Sequence, residues 1–364
     1  MSTPNTPLSV LVAGGGTAGH VEPALAVAEA LRDKYGASVT ALGTARGLET
    51  SLVPDRGFPL RLIEPVPVPR KPSLELLKLP FRVITSIRQT RQILTDTGAQ
   101  AVAGFGGYVS APAYLAARSL GLPFFVHEAN ARAGMANKLG VKLGGTGLNA
   151  VADSGMPGDV VGIPIRQGLG GERDASAAAR ARSQWNLDED RSTIFVTGGS
   201  QGAASLNEAL AGALDELLKD GYQILHAVGK RNDLPEAQPG YVPLHFIEDM
   251  QAAYTVADLI ICRSGAMTVA EVTASGIPAI YVPLPHGNGE QALNARAVIE
   301  AGAARLVDDS DLTPERFVSE VRDLLQNTAT YDAMAQAARL STVGNAAAVV
   351  ADLIAAAITA QPQK

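Results

Sequence analysis

Glycine-rich segments that join an apolar run to a helical pattern are the first candidates for chemistry in this chain. Residues 14–20 (GGGTAGH) follow the apolar run 8–13, and residues 198–202 (GGSQG) follow the run 192–197. Glycines let the backbone turn tightly after a strand, and the following helix presents N–H groups and its positive dipole end to an anion. Each half of the chain therefore contains one predicted phosphate-binding loop.

A dinucleotide-binding dehydrogenase is the main alternative for the first loop. It needs an Asp or Glu near the end of the second strand to hold a ribose. The second predicted strand, 38–43, ends in Gly43-Thr44 and continues as Ala45-Arg46, so this acid is missing. The chain also lacks the Gly-Lys-Ser/Thr signature of a P-loop. The sequence therefore disfavours both hydride transfer and ATP hydrolysis.

Two polar side chains lie within these loops. His20 stands where the loop meets the helix, and an imidazole there suits a general base near neutral pH; a capping or phosphate-contacting role fits equally well. Ser200 can donate to a phosphate oxygen or to a base edge, or it can cap the helix. The residues alone leave both choices open.

A third segment, residues 262–268 (CRSGAMT), also follows a strand pattern and opens a helix. Glu271 comes three residues after Thr268, so the two side chains share a helix face. The Glu271 carboxylate could accept hydrogen bonds from the vicinal hydroxyls of a ribose. Alternatively, it could close a capping box by satisfying backbone N–H groups.

Further polar clusters follow other predicted strands, where ligands bind in open α/β sheets. Glu290, Gln291 and Asn294 follow strand 278–282 and suit sugar hydroxyls, with a solvated loop as the alternative. Residues 104–110 (GFGGYVS) and 127–130 (HEAN) follow two strands of the first half. Arg166, in residues 162–166 (GIPIR), could bind a diphosphate through its fork of donors or form an interdomain salt bridge.

Metal-dependent chemistry has little support in the sequence. Zinc-like His/Cys spacing is missing. Asp188-Glu189-Asp190 and Asp309-Ser310-Asp311 resemble the acidic motif of metal-dependent nucleotide sites. Both fall in charged turns, and we interpret them as solvated surface rather than as metal ligands.

Composition indicates a two-domain globular protein. The 364 residues exceed one ordinary core, and they are 46% apolar and 18% charged. The single cysteine, Cys262, fits a reducing compartment, and the net charge of −6 argues against a nucleic-acid partner. The short N-terminal apolar run predicts a core strand rather than a signal peptide, and no run reaches the roughly 20 apolar residues of a membrane span.

Short β-branched runs alternate with helical patterns along the whole chain, which predicts βαβ units and parallel sheets in the α/β class. Predicted strands are 8–13, 38–43, 59–64, 99–103, 123–127, 192–197, 222–227, 243–247, 258–262, 278–282 and 303–307. Predicted helices are 23–34, 47–54, 74–95, 110–120, 203–219, 249–256, 266–275, 290–300, 313–325 and 345–360. Residues 167–190 are expected to open the second domain as a connector or short helix.

Several motifs stand together in one order, and that order is more specific than any single glycine loop. They are GGGTAGHVEPALA, LGTARGLE, GGYVSAP, HEAN, GIPIR, GGSQGA, CRSGAMTVAE and EQALNA. With them the chain resembles the MurG family of bacterial glycosyltransferases, which move N-acetylglucosamine from its UDP donor to lipid I and so form lipid II. The resemblance implies a GT-B fold, in which two Rossmann-like parallel-sheet domains face a cleft. Residues 1–164 with the C-terminal helix 344–364 would form the first domain, and residues 165–343 the second.

The resemblance also implies roles for individual residues. UDP-N-acetylglucosamine would be bound by Thr17, Ala18, Gly19, Asn130, Arg166, Ser200, Ile247, Ala266, Met267, Thr268, Glu271, Glu290, Gln291 and Asn294. The acceptor diphosphate would be bound by Gly14, Gly15, Gly16, Gly106 and Tyr108. His20 would be the catalytic base, and no cofactor or essential metal is implied. The chain departs from common family residues at Glu22, Ala129, Ile163 and Glu290, and the last of these replaces an amide with a carboxylate that only accepts.

Because lipid I is a membrane lipid, the resemblance further implies a cytoplasmic enzyme that is peripheral on the inner face of the plasma membrane. Residues 66–92 mix apolar side chains with six basic residues against one acidic residue, Glu75. The basic residues are Arg70, Lys71, Lys78, Arg82, Arg88 and Arg91. Such a segment suits an anionic leaflet, although a solvated helix with one buried face is the alternative. Another GT-B transferase or a UDP-sugar epimerase also remains open as the function.

Overall fold

The structure is a computed structural model that describes residues 7–66, 75–166, 168–169, 174–285, 289–341 and 344–361. The chain divides into two compact units. The first comprises Met1–Gln167 together with Val343–Lys364, and the second comprises Gly168–Thr342.

The first unit is built on a seven-stranded sheet in which every pairing is parallel. Its strands are β1 (Ser9–Ala13), β2 (Ser38–Gly43), β3 (Leu60–Leu62), β4 (Ala101–Gly104), β5 (Phe124–Glu128), β6 (Thr146–Asn149) and β7 (Asp159–Val160). Their order across the sheet is β3-β2-β1-β4-β5-β6-β7. The chain therefore adds strands on one side of β1 up to β3 and on the other side from β4 onwards, so the strand order reverses between β1 and β4.

Helices cover both faces of this sheet. They are α1 (Ala18–Tyr35), α2 (Glu49–Asp55), α3 (Glu75–Asp96), α4 (Ser110–Leu120), α5 (Met135–Lys142) and the C-terminal α13 (Ala346–Thr359). The C-terminal helix contributes Val350, Ala351 and Ile354 to the core cluster that contains Leu25 and Leu31 of α1. The last helix of the chain thus belongs to the first unit.

The second unit repeats the plan with a six-stranded sheet, again with parallel pairing throughout. Its strands are β8 (Thr193–Thr197), β9 (Gln223–Ala227), β10 (Tyr241–Leu244), β11 (Leu259–Cys262), β12 (Ala279–Tyr281) and β13 (Ala304–Leu306). Their order is β10-β9-β8-β11-β12-β13, so the reversal falls between β8 and β11. The helices are α6 (Ala175–Trp185), α7 (Ala204–Lys219), α8 (Met250–Val256), α9 (Ala266–Ala274), α10 (Glu290–Glu300), α11 (Pro314–Leu325) and α12 (Thr328–Leu340).

Most elements lie where the sequence predicts them, with three corrections. The first helix begins at Ala18 rather than at 23 and contains Pro23, so His20 lies in its first turn. The strand expected over 243–247 is Tyr241–Leu244. It tolerates Pro243 because β10 is at the sheet edge. The sequence missed β6, β7, α5 and α12.

Candidate functional site

The strand order brings two glycine loops of the first unit to one place. Ligands of open α/β sheets bind beyond the carboxyl ends of the strands, at the point where strand order reverses. The loop with Gly14, Gly15 and Gly16 follows β1, and the loop with Gly106 and Tyr108 follows β4, which is its neighbour in the sheet. The predicted acceptor-binding residues thus meet at the reversal point.

These two loops pack so closely that side chains are excluded between them. A Cβ atom on Gly107 would lie 2.3 Å from the Gly15 carbonyl oxygen of the other loop. Within the first loop, a Cβ atom on Gly14 would lie 2.2 Å from the His20 carbonyl oxygen. Ser110 is fully buried and accepts the Gly106 N–H at 2.9 Å. The Ser110 hydroxyl also lies 3.1 Å from the Ala13 carbonyl oxygen at the end of β1. Glycine is therefore required here by backbone contact as well as by chain turning.

His20 is held by its δ nitrogen. Nδ1 lies 3.2 Å from the Gly15 carbonyl oxygen and 3.2 Å from the Thr17 hydroxyl. Because a carbonyl oxygen only accepts, the hydrogen bond to Gly15 requires the proton on Nδ1 and leaves the lone pair on Nε2. Nε2 lies on the side of Gly106, where an added Cβ would come within 2.9 Å of it. This tautomer is the one that a general base needs.

A buried carboxylate that the sequence analysis missed fixes the first loop. Glu49 is fully buried, and its Oε2 accepts the Gly16 N–H at 2.8 Å. Its Oε1 accepts the Thr44 N–H at 2.7 Å and the Thr44 hydroxyl at 3.0 Å. Glu49 lies within the LGTARGLE motif. Its place in that motif was the only signal in the sequence, and the motif does not reveal that the side chain is buried.

Glu128, at the end of β5, organises the loop that carries Asn130. Its Oε1 accepts both the backbone N–H and the side-chain Nδ2 of Asn130, at 2.9 and 3.2 Å. Its Oε2 accepts the Gly134 N–H and Asn137 Nδ2, both at 2.9 Å. Since an ionised carboxylate accepts hydrogen bonds and has none to donate to the amide oxygen, Asn130 must direct Nδ2 towards Glu128. The amide orientation of a predicted substrate contact is therefore set by Glu128.

Arg166 is paired within its own unit. Its Nη2 lies 3.3 Å from Glu22 Oε2, and Arg56 Nη2 contacts the same oxygen at 2.7 Å. Arg56 also pairs with Glu29 at 3.0 Å. Arg166 thus forms the salt bridge that was the alternative to diphosphate binding, and its partner Glu22 belongs to the same compact unit. Its Nε is buried without a hydrogen-bond partner among the described residues.

The second unit brings its predicted loops together in the same way. The loop containing Ser200 follows β8, and the 263–265 segment follows β11, the neighbouring strand across the reversal. Ser200 is not the helix cap, because α7 is capped by Ala203 without a side-chain bond. The loop is instead held by its backbone: the Ser200 carbonyl accepts the Lys230 N–H at 3.1 Å. Asn232 Nδ2 donates to the Gln201 carbonyl at 3.1 Å.

The structure excludes one of the two interpretations of Glu271, the capping box. Helix α9 is capped by Gly265 with no side-chain cap bond, so Thr268 does not begin a capping box. Glu271 Oε2 accepts a hydrogen bond from the Tyr254 hydroxyl at 2.9 Å. Ala266 and Met267 are buried in the first turn of α9, and Ile247 is buried in the loop before α8. These residues lie around one end of the second sheet.

Helix α10 carries the remaining predicted donor contacts. Gln291 Oε1 accepts the Leu284 N–H at 3.0 Å, and Asn294 Nδ2 lies 3.4 Å from the Ser264 carbonyl. Glu290 is the first residue of α10, and the loop residues His286, Gly287 and Asn288 lie outside the described residues. Asn294 thereby connects α10 to the segment that opens α9.

One of the two acidic segments, residues 309–311, forms an ion pair with Arg263. Asp309 pairs with the Arg263 guanidinium and accepts from Ser205 at 2.7 Å, so the interpretation of Asp309 as solvated surface is wrong. Asp188, Glu189 and Asp190 are exposed, as expected. Within the described ranges, no three His, Cys, Asp or Glu side chains group as metal ligands. In the same ranges, no helix combines the length and apolar character that crossing a bilayer requires.

Two parallel-sheet α/β units, each with a glycine loop at its reversal point, define the class of GT-B glycosyltransferase folds. Residues 10–144 match the glycosyltransferase family 28 N-terminal domain, and residues 193–352 match the glycosyltransferase family 28 C-terminal domain. The chain belongs to glycosyltransferase family 28.

Similar proteins narrow the group further. A protein of Corynebacterium efficiens named UDP-N-acetylglucosamine–N-acetylmuramyl-(pentapeptide) pyrophosphoryl-undecaprenol N-acetylglucosamine transferase is 77% identical, over 98% of this chain and 99% of its own. A Nocardia farcinica protein of the same name is 52% identical over 91% of each chain. The crystal structure of Acinetobacter baumannii MurG has a TM-score of 0.74 at 33% identity, covering 96% of this chain and 100% of that one.

Fold similarity alone would not separate the transferase from the epimerase alternative. A crystal structure of a putative UDP-N-acetylglucosamine 2-epimerase from Listeria monocytogenes has a TM-score of 0.66 at 15% identity, covering 97% of this chain and 96% of that one. That likeness shows a shared fold and no more. The family match and the high-identity relatives support the transferase rather than the epimerase.

Proposed function

We propose that this enzyme transfers N-acetylglucosamine from UDP-N-acetylglucosamine to lipid I (undecaprenyl-pyrophosphoryl-N-acetylmuramoyl-pentapeptide), which yields lipid II for peptidoglycan synthesis. The observation that carries the proposal is the pair of glycine loops, one at the reversal point of each sheet. Both substrates carry a diphosphate, and each loop offers helix N–H groups to one of them. Relatives that are 77% and 52% identical are named for this reaction.

The donor binds the second unit in this proposal. Ser200 and the N–H groups at the start of α9 hold the diphosphate, and Glu271 accepts from the ribose hydroxyls. Ile247 lines the site of the base, with Ala266, Met267 and Thr268 beside it. Glu290, Gln291 and Asn294 contact the sugar.

The acceptor diphosphate binds the first unit, at Gly14, Gly15, Gly16, Gly106 and Tyr108. Tyr108 is 55% exposed, so its side chain is available to a ligand. Thr17, Ala18, Gly19 and Asn130 present donors and acceptors to the donor sugar at the reacting centre. The unit that holds His20 is therefore the unit that holds the nucleophile.

The reaction is a direct displacement with inversion. The acceptor's sugar hydroxyl attacks the anomeric carbon, and His20 Nε2 takes the hydroxyl proton as the new C–O bond forms. The bond between the anomeric carbon and the phosphate oxygen breaks, and UDP leaves with the electron pair. Helix N–H groups and Arg166 stabilise the charge on the leaving diphosphate. For Arg166 this requires the guanidinium to serve both Glu22 and the diphosphate.

Metal removal tests one part of this mechanism. If N–H groups and a guanidinium stabilise the leaving group, excess EDTA should leave kcat unchanged within about twofold. The initial rate of transfer with and without EDTA, after exhaustive dialysis, measures this. Loss of activity on chelation, restored by Mg²⁺ or Mn²⁺, would contradict the metal-free mechanism.

The surface of α3 supports docking on an anionic membrane. Phe81 and Ile84 are 74% and 47% exposed, and Arg88 and Arg91 are exposed on the same helix. Arg70 and Lys71 and the side chain of Lys78 lie outside the described residues. Exposed apolar side chains beside basic ones bind a leaflet through both area and charge. We propose a peripheral enzyme on the cytoplasmic face of the plasma membrane.

Vesicle flotation tests the docking proposal. Replacing Lys78 and Arg82 with Ala should weaken binding to phosphatidylglycerol vesicles about fivefold per residue, since each basic residue contributes on the order of 1 kcal/mol. Phe81→Ser should weaken binding through lost apolar area. Leu340→Ser is the matched control, because Leu340 is 79% exposed but lies in the second unit. Binding that resists both salt and these α3 substitutions would contradict the proposal.

The transfer itself is tested with purified enzyme, UDP-N-acetylglucosamine and a lipid I analogue. We expect a disaccharide product and UDP only when both substrates are present. An epimerase needs only the nucleotide sugar and would yield an isomerised UDP-sugar without acceptor. That outcome would replace the proposed function with its alternative.

A further inference from the structure

A tyrosine outside the predicted site contacts one of its residues. Tyr254 lies on α8, which is capped by Asp249 accepting the Ala252 N–H at 2.9 Å. The Tyr254 hydroxyl donates to Glu271 Oε2 at 2.9 Å. The two residues belong to neighbouring helices, and the bond ties the Glu271 carboxylate to the interior of the second unit.

The Tyr254 side chain is rigidly placed. It is only 3% exposed and belongs to the same buried cluster as Ile247, the predicted base contact. Its ring meets the Phe195 ring edge-on, with centroids 6.2 Å apart and planes at 65°. A tyrosine has only two side-chain torsions, so burial on all sides leaves the hydroxyl with little freedom.

The Tyr254 hydroxyl is protonated and donates its hydrogen bond to Glu271. Burial raises its pKa well above the ordinary value of 10, and the neighbouring Glu271 carboxylate raises it further. Both effects favour the protonated hydroxyl that donates to Glu271. Glu271 is half-buried, so part of the residue remains accessible.

The bond from Tyr254 orients the Glu271 carboxylate but uses only part of its capacity to accept hydrogen bonds. An ionised carboxylate has about four lone-pair sites, and Tyr254 fills one of them. Loss of this bond would remove one restraint on the orientation in which the carboxylate accepts from a ribose. Holding a ligand-contacting group in one geometry improves binding because less freedom is lost when the ligand arrives.

We propose that Tyr254 is a positioning residue for the donor's ribose: it holds the Glu271 carboxylate in the orientation that accepts from the vicinal hydroxyls, without touching the nucleotide itself. The inference rests on the proposed function, because it takes Glu271 as the ribose contact. It adds a residue that the sequence motifs do not contain.

The variant Tyr254→Phe removes one oxygen and keeps the buried ring. Isothermal titration with UDP and with 2′-deoxy-UDP then separates positioning from packing. The wild type should bind UDP more tightly than 2′-deoxy-UDP, because Glu271 accepts from the 2′-hydroxyl. Tyr254→Phe should weaken UDP binding about tenfold and 2′-deoxy-UDP binding far less, so that the preference for ribose nearly disappears. In turnover, KM for the donor should rise while kcat changes little.

The matched control is Tyr241→Phe. Tyr241 is another buried tyrosine of the second unit, and its hydroxyl bonds to His226 Nδ1 at 2.9 Å rather than to a predicted site residue. Its loss should lower the melting temperature comparably and leave the ribose preference intact. Equal weakening of both nucleotides by Tyr254→Phe, or no weakening, would overturn the inference.

Failure of the inference and failure of the proposed function give different results. If the wild type shows no ribose preference, or does not bind UDP, the proposed donor site is wrong and the inference falls with it. If the wild type shows the preference, Glu271→Gln abolishes it and Tyr254→Phe retains it, only the role of Tyr254 is wrong.

Discussion

Replacing His20 with Ala is expected to lower kcat by about 10² to 10⁴, the range typical of losing a general base. The Nδ1 bond to the Gly15 carbonyl, at 3.2 Å, leaves the lone pair on Nε2, and an alanine offers no substitute acceptor for the hydroxyl proton. Affinity for UDP should change little, because His20 is not among the residues proposed to bind the uridine, the ribose or the diphosphate. Stopped-assay kinetics at saturating substrates and titration with UDP measure the two quantities.

Two further measurements separate a base from a structural residue. Added imidazole should restore part of the activity of His20→Ala, and the acidic limb of the pH–rate profile should vanish in that variant. The substitution Thr17→Val removes a contact of Nδ1 and a proposed contact to the donor sugar, so it should raise KM for the donor while the bond from Nδ1 to the Gly15 carbonyl keeps His20 in place. Near-normal turnover of His20→Ala at saturating substrates would show that another group takes the proton.

Local sequence patterns predict most of the fold because local physics determines it. The run Ser9–Ala13 is apolar and β-branched, glycines follow it, and a helix follows them. That order of residue types occurs at β1 and again at β8, so the two loops are visible without coordinates. Elements with weak local signals were missed: β7 has only two residues, and β6 reads TGLN.

Side-chain partners that come from distant segments could not be predicted. Glu49 is 33 residues from the Gly16 N–H that it accepts, and Glu22 is 144 residues from Arg166. Such pairs depend on strand order, which a single sequence does not reveal. The sequence therefore indicated which loops bind anions, but not the carboxylates Glu49 and Glu128 that hold those loops in shape.

Glu22, where the chain departs from the common family residue, forms ion pairs with two arginines. An aromatic residue there would leave Arg166 and Arg56 without the carboxylate that they share. In this chain the pair is largely buried, with Glu22 13% and Arg166 26% exposed, so removing Glu22 would take a compensating charge from the Arg166 guanidinium. Glu22 thus forms ion pairs with both Arg56 and Arg166.

Replacing Gly106 with Ala is the second change with a large expected effect. Gly106 has a φ of +101°, and its added Cβ would lie 2.7 Å from His20 Cδ2 and 2.9 Å from Nε2. No Cβ approaches so closely, so the imidazole must move, and a shift of about 1 Å in a catalytic group can cost 10²-fold in rate. We expect kcat to fall by roughly that factor while UDP affinity is retained.

Gly144→Ala isolates the contribution of backbone strain. Gly144 has a nearly equal φ of +97°, but an added Cβ there meets nothing within 4 Å. Both variants carry the left-handed penalty of about 1–2 kcal/mol, so both should melt earlier, and only Gly106→Ala should lose turnover. Because the clash involves the His20 ring, the double variant with His20→Ala should be no slower than His20→Ala alone. Fully additive losses would mean that Gly106 acts on the acceptor and not through the histidine.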